Sequence, residues 1–334
     1  MKILAALWSF TLLMVLPAVA GAAAGDELYA RPGKLVKADG ARLNLYCLGT
    51  GTPAVVFDSG WEDWAPVWAI VQPAVAKWTE ACSYDRAGAG FSDAGPMPRT
   101  SMRIADELDG ALHHAGIKGP YVLVGHAFGG DNVRTFAIRH LADTAALVLV
   151  EADVPDPDVH GGGERIVAQL RACRNAIAEG KPLPPLAGSV GQSTRNCSQQ
   201  FFRGLPEAVW SAQLNDKLLE LARTKLAMYD AYISEMEQTP VDEAYLQQHR
   251  RSLGARPIRV LTTGNHGVHA LDPNHPKDAK QQAYQDHVAR AQAEWLKDSS
   301  NAKQLFTENS SEYIPFEQPA FVVDAIHEAW EQSK

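Results

Sequence analysis

Nine consecutive residues constrain this fold more than any other part of the chain, because they require a strand, a sharp turn and a helix in immediate succession. Their sequence is Val122-Leu123-Val124-Gly125-His126-Ala127-Phe128-Gly129-Gly130. The apolar run at 122–124 is typical of a buried strand, and a helix is predicted from about 130 to 140. Glycines at 125 and 129 let the turn close, because they have no Cβ to obstruct it. Such a turn projects the side chain of residue 127 from the carboxyl end of the strand.

The segments on either side of this turn alternate between strand-like and helix-like patterns. Short apolar runs that predict buried strands lie at 55–57, 121–124, 146–150, 257–261 and near 303–306. Helical patterns lie at 68–78, 102–114, 278–295 and 319–330. Because helices that alternate with buried strands cover both faces of a parallel sheet, the pattern predicts an α/β protein.

The alternation stops after Val150 and resumes at Pro257. The intervening region is rich in prolines and glycines at its start and carries helical patches up to about Arg251. We therefore predict a sheet-containing core formed by 25–154 and 256–334. A mainly helical cap is predicted at 155–255, inserted into that core.

The N-terminus resembles a secretory signal peptide. Lys2 is followed by an almost unbroken apolar run, and Ala18-Val19-Ala20 provides an A-x-A cleavage site. We expect residues 1–20 to be removed and the protein to be exported to the periplasm or secreted. No later apolar stretch approaches the roughly 18 residues that a membrane helix needs, so no stable membrane span is expected after cleavage.

Export affects how the four cysteines are interpreted, because disulfides persist in oxidising compartments. Cys47 and Cys82 each lie in a strand-like stretch, and Cys173 and Cys197 lie 24 positions apart in the middle region. We therefore predict two disulfides, Cys47–Cys82 and Cys173–Cys197.

The composition is that of an ordinary globular protein, 334 residues long with 46% hydrophobic and 21% charged residues. The net charge of -8 and the lack of a basic run argue against nucleic acid as a partner.

Three stretches of the sequence resemble the α/β-hydrolase superfamily. They are the turn at 125–129, the stretch Tyr84-Asp85-Arg86-Ala87-Gly88-Ala89-Gly90-Phe91-Ser92-Asp93, and the stretch Asp58-Ser59-Gly60-Trp61. The resemblance extends over essentially all the mature chain and is strongest to the capped subgroup of esterases, lactonases and proline iminopeptidases. It implies a mostly parallel eight-stranded sheet with helices on both faces and an inserted helical cap. In that family the second and fourth strands are neighbours, which supports the Cys47–Cys82 pairing.

The resemblance also implies roles for individual residues. Residue 127 occupies the position of the family's serine nucleophile, and the backbone amides of Trp61 and Phe128 occupy the positions of the oxyanion hole. Ala127 has no oxygen, so acyl-enzyme chemistry through this residue is impossible. Two explanations are open: an engineered Ser→Ala change at 127, or a natural protein without the serine.

The position of the base histidine also departs from the family. Glu312 stands where the family has its histidine, in the loop after the last strand. His266 and His269 lie in an earlier loop, where the family usually has its acid, so either could be the base with Glu312 orienting it. Alternatively, Glu312 itself acts as the general base. Glu151, which follows a strand, either orients a histidine or caps a local turn.

The sequence therefore predicts an exported hydrolase of a carboxylic ester or lactone that lacks its serine. A small-molecule substrate or ligand is expected under the cap, and the chemistry requires no metal or organic cofactor. Two alternatives remain: a natural pseudohydrolase that binds a small apolar ligand, and a serine-independent enzyme that uses Glu312.

Overall fold

A computed structural model describes residues 25–155, 160–185, 197, 210–265 and 277–334. These residues form an eight-stranded sheet in the order β1-β2-β4-β3-β5-β6-β7-β8. The strands are β1 (Lys34–Lys37), β2 (Arg42–Leu48), β3 (Val55–Asp58), β4 (Ala81–Asp85), β5 (Tyr121–His126), β6 (Thr144–Val150), β7 (Ile258–Thr263) and β8 (Ala302–Thr307). The helices are α1 (Val71–Val75), α2 (Ser101–Ala115), α3 (Phe128–Arg139), α4 (His160–Ala178), α5 (Ala212–Thr224), α6 (Leu226–Gln248), α7 (Ala279–Ala293), α8 (Ile314–Glu317) and α9 (Pro319–Glu331).

The sheet is mostly parallel, as the sequence predicted. Only β1 with β2 and β2 with β4 pair antiparallel, and every pairing from β4 to β8 is parallel. In this register Asp58, the last residue of β3, lies beside Gly125 of β5. His126 of β5 lies beside Val150 of β6. The carboxyl ends of the central strands therefore meet at the turn that carries residue 127.

Helices cover both faces of the sheet. Along β5, successive apolar side chains pack alternately against the helices on the two faces. Leu123 packs into the apolar cluster that contains residues of α2 and α3, such as Leu108 and Phe136. Val122 and Val124 point to the opposite face, into the cluster that contains residues of α1 and α9. A strand buried on both faces needs a continuous apolar sequence, which this strand has.

Among the described residues between β6 and β7, the helices are α4, α5 and α6. Their apolar residues share a third cluster with core residues, Tyr46 and Trp64 among them. The glycines at 161–163 fall within the first turn of α4. The boundaries 155–255 of the cap stay a prediction.

Both predicted disulfides are present. Cys47 and Cys82 face each other directly on the antiparallel strands β2 and β4. Cys173 of α4 is bonded to Cys197. Among the described residues, no helix is both long and apolar enough to span a membrane. The predicted signal peptide at 1–20 lies outside the described residues.

Candidate active site

The turn between β5 and α3 holds Ala127 in a backbone conformation that side-chain-bearing residues rarely adopt, with φ 47° and ψ −123°. Hydrogen bonds on both sides fix it there. The Ala127 amide donates to the Val150 carbonyl over 3.2 Å, and the Gly130 amide donates to the Ala127 carbonyl over 2.8 Å. Strain of this kind persists only where the surroundings enforce it, and it is commonly found at functional sites.

Two glycines make this turn possible by allowing close backbone approach. A Cβ on Gly125 would lie 2.4 Å from the Gly129 carbonyl oxygen. A Cβ on Gly129 would lie 2.4 Å from the Asp58 carbonyl oxygen, at the end of β3. Neither position can hold a side chain unless the backbone moves, so the turn and the end of β3 are packed against each other.

The loop after β3 lies next to Ala127. A Cβ on Gly60 would be 3.4 Å from the Ala127 Cβ, and 3.2 Å from both Asp63 Oδ2 and His126 Nδ1. We call residues 58–61 the oxyanion turn, after the role that the family resemblance implies. Its last residue, Trp61, is half-buried, and its indole Nε1 donates to the Tyr232 carbonyl of α6 over 2.9 Å.

Phe128 directly follows position 127. It is the first residue of α3, so its amide has no acceptor within the helix. Trp61 therefore follows a glycine that lies near Ala127, and Phe128 directly follows Ala127 at a helix N-terminus. The positive end of the helix dipole favours negative charge at this point. That Trp61 and Phe128 donate to an oxyanion stays a prediction.

A buried ionic cluster of Asp58, Arg86 and Glu235 packs against the oxyanion turn. Asp58 accepts hydrogen bonds from the Tyr84 hydroxyl over 2.6 Å and from Arg86 Nη1 over 2.9 Å. Burial raises the pKa of the Asp58 carboxyl, and the Arg86 charge and the Tyr84 hydroxyl oppose that increase. The guanidinium of Arg86 also contacts Glu235 of α6. In the sequence Arg86 belongs to the stretch 84–93, and no local signal links it to Glu235.

The loop after β8 reaches the same turn. His126 Nε2 lies 3.0 Å from the Glu312 carbonyl oxygen, which can only accept, so Nε2 carries the proton of this bond. The His126 ring also packs against Tyr313, with ring centroids 5.8 Å apart. Glu312 is half-buried. The backbone of Glu312 therefore contacts the residue that precedes Ala127, although the catalytic role of its carboxylate stays a prediction.

Glu151 lies at the end of β6, buried and with a positive φ of 43°. Its carboxylate accepts the Thr263 amide at the end of β7 over 2.5 Å, and its own amide donates to the Leu261 carbonyl over 2.8 Å. Glu151 thus joins the ends of β6 and β7, where the loop with His266 and His269 begins. Both histidines lie outside the described residues.

The tryptophans near the oxyanion turn differ in burial. Trp64 and Trp68 are fully buried, and the ring of Trp68 meets His126 edge-on with centroids 6.4 Å apart. They belong to the core that supports the turn. Trp61 is the more exposed of the three.

Comparisons with known proteins agree with this geometry. The model of a family described as "alpha/beta hydrolase fold" matches residues 53–170. A 2-hydroxymuconate semialdehyde hydrolase of Pseudomonas sp. (strain CF600) is 31% identical over 134 residues, which are 39% of this chain and 47% of that protein. The chain spans 15% to 47% of the length of the curated relatives it matches.

Solved structures extend the likeness to the whole fold. A thermophilic esterase from Thermogutta terrifontis superposes with a TM-score of 0.61 at 17% identity, over 90% of this chain and 98% of that one. The epoxide hydrolase CorEH superposes with a TM-score of 0.66 at 16% identity, over 90% and 99%. Together these matches show that the chain has the α/β-hydrolase fold.

Proposed function

We propose that this chain is an exported hydrolase of carboxylic esters or lactones whose nucleophilic serine is absent, with Ala127 in its place. The observation that carries the proposal is the backbone of Ala127, which keeps the strained φ of 47° between β5 and α3 although alanine gains nothing from it. A small-molecule substrate would bind beneath the segment 155–255. Export is supported by the two disulfides, which need an oxidising compartment.

With serine at position 127, the hydroxyl would attack the substrate carbonyl. The amides of Trp61 and Phe128 would then stabilise the oxyanion, an effect of roughly 3–4 kcal/mol per donor. His266 or His269 would take the serine proton, with Glu312 or Glu151 orienting the ring. The roles of residue 127 and of the two amides follow from the family resemblance, whereas the roles of the histidines and carboxylates depart from it. Each role can be tested by mutation.

The test is to compare Ala127→Ser with the unmodified chain on p-nitrophenyl acetate and on a short-chain lactone. We expect the Ala127→Ser variant to hydrolyse these substrates at least about 100-fold faster than the unmodified chain does. Ala115→Ser is the matched control, because it places the same hydroxyl at the end of α2, far from the turn. Labelling of position 127 by a fluorophosphonate would confirm that the new serine is activated. Equal rates in all three proteins would contradict the proposal.

A second function is favoured by one contact, the bond between His126 Nε2 and the Glu312 carbonyl. It holds the Glu312 loop at the turn, where a carboxylate can act as general base on a water in the space left by Ala127. In that case the unmodified chain is active, and Glu312→Gln abolishes its activity. The third alternative is a pseudohydrolase, for which Ala127→Ser stays inactive while a small apolar ligand binds to the unmodified chain.

A further inference from the structure

We propose that Arg86 is a positioning residue that sets the direction of the Trp61 amide, and that Glu235 of α6 holds Arg86 in place. The inference rests on the proposed function, because it concerns the oxyanion hole of the same site. It goes further by making a helix between β6 and β7 part of the machinery that shapes that hole.

Arg86 fixes the orientation of the peptide that joins Gly60 to Trp61. Arg86 Nη2 donates to the Gly60 carbonyl over 2.8 Å, and Nη1 donates to the Ser59 carbonyl over 2.6 Å. In a trans peptide the N–H points opposite to the preceding C=O. With the Gly60 carbonyl fixed towards the guanidinium, the Trp61 N–H is directed away from Arg86. Gly60 is also close to Ala127, since a Cβ built on it would lie 3.4 Å from the Ala127 Cβ.

Every N–H group of the Arg86 guanidinium has an acceptor. Beyond the two carbonyls, Nη1 donates to Asp58 Oδ1 over 2.9 Å. The Nε and Nη2 atoms donate to the two carboxylate oxygens of Glu235 over 2.9 and 3.2 Å. These contacts use all five N–H groups of an arginine. A lysine has three donors on a single atom and cannot reproduce this planar arrangement.

A second set of hydrogen bonds links the oxyanion turn to α6. The Trp61 indole donates to the Tyr232 carbonyl, and the Tyr232 hydroxyl donates to the Asp63 carbonyl over 3.2 Å. Tyr232 precedes Glu235 by one turn of the same helix. The helix therefore holds the loop after β3 both directly and through Arg86. A shift of α6 would change the direction of the Trp61 amide.

The charges of Arg86, Asp58 and Glu235 also hold this cluster together. Arg86, Asp58 and Glu235 are each almost completely buried. Burial acts to lower the pKa of Arg86, but the charges of Glu235 and Asp58 outweigh it and raise the pKa well above its usual range. Removing one member of such a cluster leaves a buried charge without compensation. Conservative replacements are therefore needed to separate positioning from loss of stability.

The test places Arg86→Lys and Glu235→Gln in the Ala127→Ser background and measures kcat and KM for p-nitrophenyl acetate. We expect Arg86→Lys to lower kcat by about 10- to 100-fold, because one oxyanion donor is misdirected. The KM should change by less than about 3-fold, since the donor acts mainly in the transition state. Glu235→Gln should lower kcat in the same direction but less, because the amide oxygen still accepts one bond.

A second buried pair in the chain supplies the matched control. Arg99 donates to both carboxylate oxygens of Glu107 over 2.6 Å, and both side chains are buried. Arg99→Lys and Glu107→Gln should lower the Tm about as much as the corresponding test variants while leaving kcat unchanged. If the control variants lose kcat as well, or if Arg86→Lys retains full kcat, the positioning role is wrong.

Failure of the proposed function is distinguishable from failure of this inference. If Ala127→Ser is inactive, the proposed hydrolase function fails. The orientation of the Gly60–Trp61 peptide can then still be determined by crystallography. A crystal structure of Arg86→Lys in the unmodified chain should show the Gly60–Trp61 peptide rotated from its original plane. An unchanged peptide would overturn the inference. If Arg86→Lys does not fold, Glu235→Gln serves for the same two measurements.

Discussion

His126 Nε2 and the main-chain oxygen of Glu312 lie 3.0 Å apart, so the loop after β8 is hydrogen-bonded to the residue that precedes Ala127. Glu312 thus contacts the residue that precedes position 127, although 186 positions separate it from His126. In the family resemblance this is the position of the base histidine, and here it carries a carboxylate. The two departures from the family pattern, Ala127 and Glu312, should therefore be tested together.

The double variant Ala127→Ser/Glu312→His should be more active on p-nitrophenyl acetate than Ala127→Ser alone. General-base assistance by a positioned histidine contributes about 10²- to 10⁴-fold. We expect a gain in kcat/KM within that range, measured side by side with Ala127→Ser/Glu312→Gln. The glutamine variant is the control for simple loss of the carboxylate. A double variant no faster than this control would mean that residue 312 does not face the nucleophile position.

If the base instead comes from the loop after β7, Ala127→Ser should already be active without a histidine at 312. In that background, His266→Gln or His269→Gln should lower kcat/KM by about 10²-fold or more, and the other substitution should have little effect. The kcat/KM of the active variant should also fall as the pH drops below about 6.5, where histidine becomes protonated. Retention of full activity in both glutamine variants would leave Glu312 as the base.

The alternation of strands and helices and the turn at 127 could be predicted because they depend on local signals. The two disulfides were predicted from the expected export, and the family resemblance supported the Cys47–Cys82 pair and the eight-stranded sheet. Helix 68–78 was predicted too long: the structure has a 3-10 turn at Ala65–Trp68 and then the short α1. Pro73 explains this, since proline lacks an N–H and clashes with the carbonyl four residues earlier. It fits only near the start of a helix, which here begins at Val71.

The contact between Arg86 and Glu235 had no such signal. The two residues are 149 positions apart, on a turn and on a helix whose packing is set by tertiary structure. Similarly, the glycines at the start of the intervening region gave no signal for a helix, but those at 161–163 lie in α4. Packing of the rest of that helix on α6 outweighs the low helix propensity of glycine.

Gly129→Ala should destabilise the protein strongly. The new Cβ would lie 2.4 Å from the Asp58 carbonyl oxygen and 2.7 Å from that of Ser59, and backbone atoms cannot yield as a flexible side chain can. We expect a loss of about 2–4 kcal/mol in the free energy of unfolding, measured by urea denaturation. Gly110→Ala in the middle of α2 is the control, because its Cβ would meet nothing closer than 4.0 Å. That change should stabilise the protein by about 0.5–1 kcal/mol.

Asp131 in the first turn of α3 should make stability fall as the pH rises. Burial raises the pKa of Asp131 to about 8; the Arg134 charge opposes this increase, and nearby Asp153, Asp242 and Glu243 add to it. Burial likewise raises the pKa of Asp242, on α6, to about 7. In the unfolded chain an aspartate has a pKa of about 3.9, so between about pH 4 and 8 the folded protein keeps a proton that the unfolded chain releases. The stabilisation is complete below about pH 4 and is lost as the pH rises through about 8.

Asp131→Asn removes the titrating group and should therefore flatten this dependence. At pH 9 the variant should exceed the unmodified chain by about 1–3 kcal/mol in the free energy of unfolding. At pH 5 it should be equal or slightly less stable, because the hydrogen bond that Arg134 donates to Asp131 is weakened. Urea denaturation at pH 5, 7 and 9 measures the difference, with Asp286→Asn on the exposed face of α7 as the control. A constant difference between Asp131→Asn and the unmodified chain across this range would show that Asp131 is ionised in the folded protein and that its charge is compensated by Arg134.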